Sequence, residues 1–99
     1  MTKRLVADDL ETYGFDVLVR YNGTIQAYKK VDDVEMFALL TDEGVRVDVL
    51  NNGVPVGQCL SLLRGVSFGK GFMFFHSCVN PQRTLKVDLE TLAAQDIDQ

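Results

Sequence analysis

The chain is poor in the residues that most site chemistry draws on. Its 99 residues include one histidine, two cysteines, two prolines and no tryptophan. Zinc needs three or four nitrogen, sulfur or carboxylate ligands. One histidine and two cysteines without a Cys-x-x-Cys pair do not make such a set, so no metal and no cofactor is expected. Two prolines and the absence of any low-complexity run argue against extended disorder. No stretch approaches the ~18 uninterrupted apolar residues of a membrane-spanning helix. The start, Met1 to Asp9, carries Lys3 and Arg4, but Asp8 and Asp9 arrive before any long apolar run, unlike a secretory leader. With no export signal, Cys59 and Cys78 are expected as reduced thiols in the cytoplasm of a bacterial or other host cell.

What is present is ordinary globular composition, 46% apolar and 24% charged. The length fits one domain over residues 1–99, with ends at 1–3 and 96–99 expected to fray. The net charge of −4 makes non-specific duplex binding a poor expectation, because phosphate attraction supplies most of that affinity. The charge is also uneven. From Asn51 to Val87 there is no acid, while Arg64, Lys70, Arg83 and Lys86 fall in that segment.

The patterning predicts an α+β fold, a small and mainly antiparallel sheet built from hairpins with helices on one face. Leu5, Val6, Leu10 and Tyr13 share a helical face, and Gly14 is placed to end that helix, predicted over 3–13. Hairpins are expected near 15–30, 45–64 and 71–87. In the first, a three-residue loop through Thr24 would set Tyr21 opposite Ile25 and Val19 opposite Ala27, which keeps the apolar face together. In the second, Asn52-Gly53 suits a type I′ turn and sets Val49 opposite Val56. Pro55 restricts its strand to an edge or to one-sided pairing. Residues 58–64 read equally as strand or helical turn, and Gly65 to Gly71 reads as a turn. A second helix is predicted over 32–43, with Asp32 as cap, Glu35 three residues later and Val34, Phe37, Ala38 and Thr41 at helical spacing. A third is predicted over 88–95, capped by Asp88.

No pattern carries catalysis. His76 and Cys78 lie two apart on a predicted strand, where side chains on one face diverge instead of converging on a shared proton. The acidic pairs Asp8/Asp9, Asp32/Asp33 and Asp42/Glu43 are adjacent in sequence and suit caps and turns, whereas acid–base partners face each other across a cleft. The glycine run at Gly65 to Gly71 lacks phosphate-loop spacing, and Gly71 stands where a magnesium-binding hydroxyl belongs.

Lys70-Gly71-Phe72-Met73-Phe74-Phe75 resembles the start of the RNP1 motif of RNA-recognition domains. Lys70, Gly71, Phe72 and Phe74 match. Met73 replaces a small residue, and Ser77 stands where the last aromatic belongs. The resemblance implies phenylalanines presented on one strand face for base stacking. The order of predicted elements differs from that family, since the strand around Val17 to Tyr21 feeds a hairpin and not a helix.

Three functional readings follow. The leading one is a non-enzymatic protein-binding module. It resembles in kind the small accessory proteins of phages and mobile elements that bind and inhibit a host factor, with Asp32, Asp33, Glu35, Asp42 and Glu43 as the acidic contact surface. The second is a single-stranded RNA- or DNA-binding domain using Arg64, Lys70, Phe72, Phe74 and Lys86. The third is a homo-oligomeric structural or assembly subunit, with a homodimer formed near the Pro55 edge or the Phe72 to Phe75 strand.

Overall fold

The chain opens with a helix because Thr2 can cap it. In the computed structural model, which describes residues 2–97, the Thr2 hydroxyl accepts from the Leu5 N–H at 3.2 Å. Helix α1 (Lys3–Thr12) buries Val6, Ala7 and Leu10. Gly14 follows at φ +89°, a left-handed conformation that ends the helix without a Cβ clash.

Two antiparallel sheets follow. The first is a five-stranded meander of β1 (Asp16–Val19), β2 (Ile25–Val31), β3 (Val34–Leu40), β4 (Gly44–Asn51) and β5 (Val54–Leu62), neighbouring in sequence order. A single 3-10 turn at Leu63–Gly65 leads to the second meander. Its strands are β6 (Val66–Gly69), β7 (Phe72–His76), β8 (Thr84–Asp88) and β9 (Ala94–Ile97). The α+β expectation therefore holds at the level of a small fold dominated by antiparallel strands with one helix.

The other two predicted helices do not form. Residues 32–43 form the β2–β3 turn, β3 and the β3–β4 turn. In Val34–Leu40 the alternation is complete: Met36, Ala38 and Leu40 point inward and are buried, while Glu35, Phe37 and Leu39 point outward. Apolar residues on both faces mask that period of two and also satisfy a helical count. Pairing with β2 on one side and β4 on the other selects the strand. Asp32 sits at φ +53° in the turn and is not a helix cap. Residues 88–95 likewise form a loop into β9. Asp88 does cap, accepting from the N–H groups of Glu90 and Thr91 at 2.9 and 3.2 Å, but the turn stops at Leu92, which adopts φ +65°.

The hairpin at 15–30 keeps its predicted face with a shifted register. The three-residue loop is Tyr21-Asn22-Gly23, closed by an N–H bond from Arg20 to the Thr24 carbonyl at 2.9 Å. Val19 therefore faces Ile25 and Val17 faces Ala27. At 45–64 the Asn52-Gly53 turn has both residues at positive φ, as type I′ requires, and Asn51 faces Val54. A bulge then moves Val49 opposite Gly57, so Val56 is left outside the apolar face and half exposed. Gly57 is required by the packing: a Cβ there would lie 3.0 Å from Ala94 Cβ and 3.2 Å from Leu85 Cδ1. The stretch 58–64 is strand as far as Leu62, and the predicted 65–71 turn contains β6 before the Lys70-Gly71 turn. Lys3 belongs to α1 and Asp96–Ile97 to β9; the expected fraying at Met1 and 98–99 lies outside the described residues.

The core lies between the inner face of the first sheet, the helix and the second sheet. Ile25, Ala27, Met36, Ala38, Leu40, Val45, Val47 and Val49 meet Val6 and Leu10, and Met73, Phe75, Leu85, Val87 and Leu89. Lys29 points to the same side and ties the parts together. Its ammonium donates to the carbonyls of Tyr13 at 2.7 Å and Leu89 at 2.5 Å, one at the helix end and one in the β8–β9 loop. The outer edge of β5 is also covered, with the Cys78 N–H on the Leu60 carbonyl at 2.9 Å and Arg83 Nη2 on the Gln58 carbonyl at 2.6 Å. What this arrangement leaves open is the far side of each sheet.

Candidate functional site

An antiparallel sheet with one covered face normally turns polar side chains toward water on the other. The open face of the five-stranded sheet departs from that rule. Strand register places Leu18, Gln26, Leu39, Arg46 and Leu60 in one row across all five strands. The adjacent outward row is Asp16, Tyr28, Phe37, Asp48 and Gln58. Leu18, Phe37, Leu39 and Leu60 are exposed, at 58%, 43%, 37% and 45%.

The polar members of the face are held in place. Tyr28 and Phe37 rings pack at a centroid distance of 4.9 Å. The Tyr28 hydroxyl donates to Glu35 Oε2 at 2.5 Å, and that bond to the carboxylate, with burial and the negative charge adding to it, raises the phenol above its usual value of 10.0. Arg46 Nε lies 3.6 Å from Asp48 Oδ2, and Gln58 Nε2 donates to Asp48 Oδ1 at 3.0 Å. Three shallow depressions open on this face and all include Arg46. One is bounded by Tyr28, Phe37 and Leu39, one by Leu60, Gln58 and Arg83, and one by Leu39, Leu60, Leu62 and Glu43. The arrangement offers shape and apolar contact around a central ion pair.

The open face of the second sheet is smaller. Phe72 and Phe74 are half-buried on its outer side, whereas Met73 and Phe75 alternate into the core. Lys86 lies on the same side, its ammonium 4.1 Å from the Phe72 ring centre and 5.9 Å from that of Phe74. Asp88 stands directly opposite Phe72. Lys70 is exposed in the β6–β7 turn at φ +54°, and Arg64 is exposed in the 3-10 turn near His76, at the other end of β7. Of the basic–aromatic set, Phe72, Phe74 and Lys86 come together, and Lys70 and Arg64 flank them from opposite ends.

The acidic set is divided. Asp32 and Asp33 lie in one turn of β3 and Asp42 and Glu43 in the other. Seven residues of strand separate the two ends by roughly 20 Å. Asp42 is paired with Lys3 at 2.6 Å, and Glu35 is engaged by Tyr28. Glu43 borders the Leu39–Leu60 depression. His76 shares a hydrogen bond of 2.7 Å with Thr84 through Nδ1. Cys78 is exposed and Cys59 buried, and among the described residues no hydrogen bond joins His76 to Cys78 and no three histidine, cysteine or carboxylate side chains cluster as metal ligands. No helix among them is long and apolar enough to cross a membrane.

Reading 32–43 as a helix concealed Phe37 and Leu39 as outward residues of a central strand. The available signal was the inward series Met36, Ala38, Leu40, which runs at strand period. Leu18 lies on the same outward side by the alternation of its own strand. Comparison with known proteins found no matching family model, no matching curated protein and no matching solved structure.

Proposed function

We propose that this protein is a non-enzymatic protein-binding module whose docking surface is the open face of the five-stranded sheet. The observation that carries this reading is the row of exposed apolar side chains, Leu18, Leu39 and Leu60, with Phe37 beside it, where a solvated sheet face would be polar. Each Å² of apolar surface removed from water is worth roughly 25 cal/mol. Covering this face therefore favours association without any new core. Arg46, Asp48, Gln58 and Glu35 supply the charged and polar groups that fix orientation. The acidic residues enter as rim groups: Glu43 borders the apolar depression, and the Asp32–Asp33 turn lies at the far end of β3.

A photo-crosslinking side chain at position 39, compared with the same side chain at position 74, tests this reading. The product from position 39 should be a defined protein adduct whose complex reconstitutes from purified components. Reaction from position 74 alone, or adducts of equal yield from both positions, would overturn it.

Single-stranded nucleic-acid binding is the second reading, favoured by Phe72 and Phe74 sharing an outer face beside Lys86. It ranks lower because Lys86 already covers the Phe72 ring on which a base would stack, and Asp88 adds negative charge to the same face.

A further inference from the structure

The occupant of the open face can be read from its own pattern. We propose that it is a second copy of this chain, bound face to face in a two-fold dimer; this rests on the reading of that face as a protein-docking surface. A two-fold axis lying in the interface, perpendicular to the strands and midway between the two outward rows, lays each row over the other row of the second copy. Arg46 of each copy then meets Asp48 of the other, twice. Leu39 meets Phe37, Gln26 meets Tyr28, Leu60 meets Gln58 and, at the β1 edge, Leu18 meets Asp16. Oppositely charged residues adjacent on one strand, at i and i+2, are what an isologous interface of this geometry needs, because the rotation exchanges the rows. One row further out, Glu35 falls over Thr41 and Leu50 over Gly44, so no like charges oppose each other.

The size is adequate. Five strands at ~4.8 Å spacing and ~3.3 Å per residue span about 500 Å² in projection. Two such faces put the contact in the size class of weak, reversible association.

Sedimentation equilibrium on four samples tests the geometry: the unaltered chain, R46D, D48R and an equimolar mixture of the two variants. The unaltered chain should dimerise. R46D alone opposes carboxylates at both pairs, and D48R alone opposes guanidinium groups. Each should weaken association at least tenfold. In the mixture both pairs become attractive, and heterodimers should recover to within about threefold of the original affinity. The doubly exchanged R46D/D48R chain should dimerise by itself, which separates loss of association from loss of folding. A chain that stays monomeric to millimolar concentration would overturn the self-association, while crosslinking of another protein from position 39 would still be read independently. A dimer indifferent to R46D and D48R, or a mixture that fails to recover, would overturn the face or the axis.

Discussion

The two open sheet faces differ in how they treat their apolar side chains. On the second sheet, Lys86 lies over Phe72 and Phe74, and the rings are half-buried. That small aromatic group is largely satisfied within its own chain. On the first sheet, the Leu18–Leu39–Leu60 row has no comparable cover, and its charges stand beside the leucines instead of over them. The difference teaches that aromatic content was the weaker indicator of a docking surface here. An apolar residue matters for docking when the chain provides nothing to shield it.

Substitutions on alternate positions of one strand break this comparison most strongly. Phe75→Ala opens the core and should cost about 3–5 kcal/mol in urea denaturation, and Met36→Ala about 2–5 kcal/mol. Phe37→Ser and Leu39→Ser, outward on the same strand as Met36, should cost the dilute chain less, about 0.5–1.5 kcal/mol for the Phe37 ring that packs on Tyr28. Equal losses from inward and outward residues would remove the distinction between core and dock.

Loss of the Lys29 bridge ranks next. Lys29→Met keeps much of the aliphatic stem and leaves the Tyr13 and Leu89 carbonyls without their charged donor. The expected cost is about 1.5–3 kcal/mol, read from the same denaturation curves. A neutral result would mean that the Lys29 bonds add nothing to holding α1 and the second sheet against the first. Smaller still is Lys86→Ala. Its loss should cost about 0.5–1 kcal/mol, the value of an exposed cation–π contact, and should raise the accessibility of Phe72 and Phe74 to an extrinsic aromatic dye.

The smallest effect is a titration. The Tyr28 phenol is raised by its bond to Glu35, so the folded chain holds that proton where the unfolded chain has released it. The associated stability is fully present below pH 10 and is lost as pH rises through the folded value. Absorbance at alkaline pH should therefore show a tyrosine step above the usual value of 10.0. Glu35→Gln should lower that step, and its absence from the unaltered chain would contradict the Tyr28–Glu35 contact.

Much of the architecture was legible where local chemistry was decisive. Gly14 ends the helix, Asn52-Gly53 builds its type I′ turn, and Pro55 sits on an edge strand. The three hairpins at 15–30, 45–64 and 71–87 are present as strand pairs. The misses share a cause. In Val34–Leu40 outward Phe37 and Leu39 are apolar as well as the inward residues, so the period of two is masked and the acidic start imitates a cap. After Asp88, real capping hydrogen bonds begin a turn that Leu92 ends within one revolution. At Val56 a bulge slips the register and sets Gly57 against Leu85 and Ala94, a tertiary contact that local patterning does not report. The candidate site went unread for the reason that hid β3: Phe37 and Leu39 disguise the strand because they face outward, and facing outward is what makes them part of the dock.

Paramagnetic relaxation of methyl groups by a soluble gadolinium chelate tests the central claim most directly. Leu5, exposed on α1 across the sheet from the dock, serves as the internal reference. At high protein concentration the Leu39 and Leu60 methyls should be shielded relative to Leu5, and dilution should expose them. Leu39 and Leu60 methyls relaxing as fast as those of Leu5 at every concentration would contradict a face covered by a second copy of the chain.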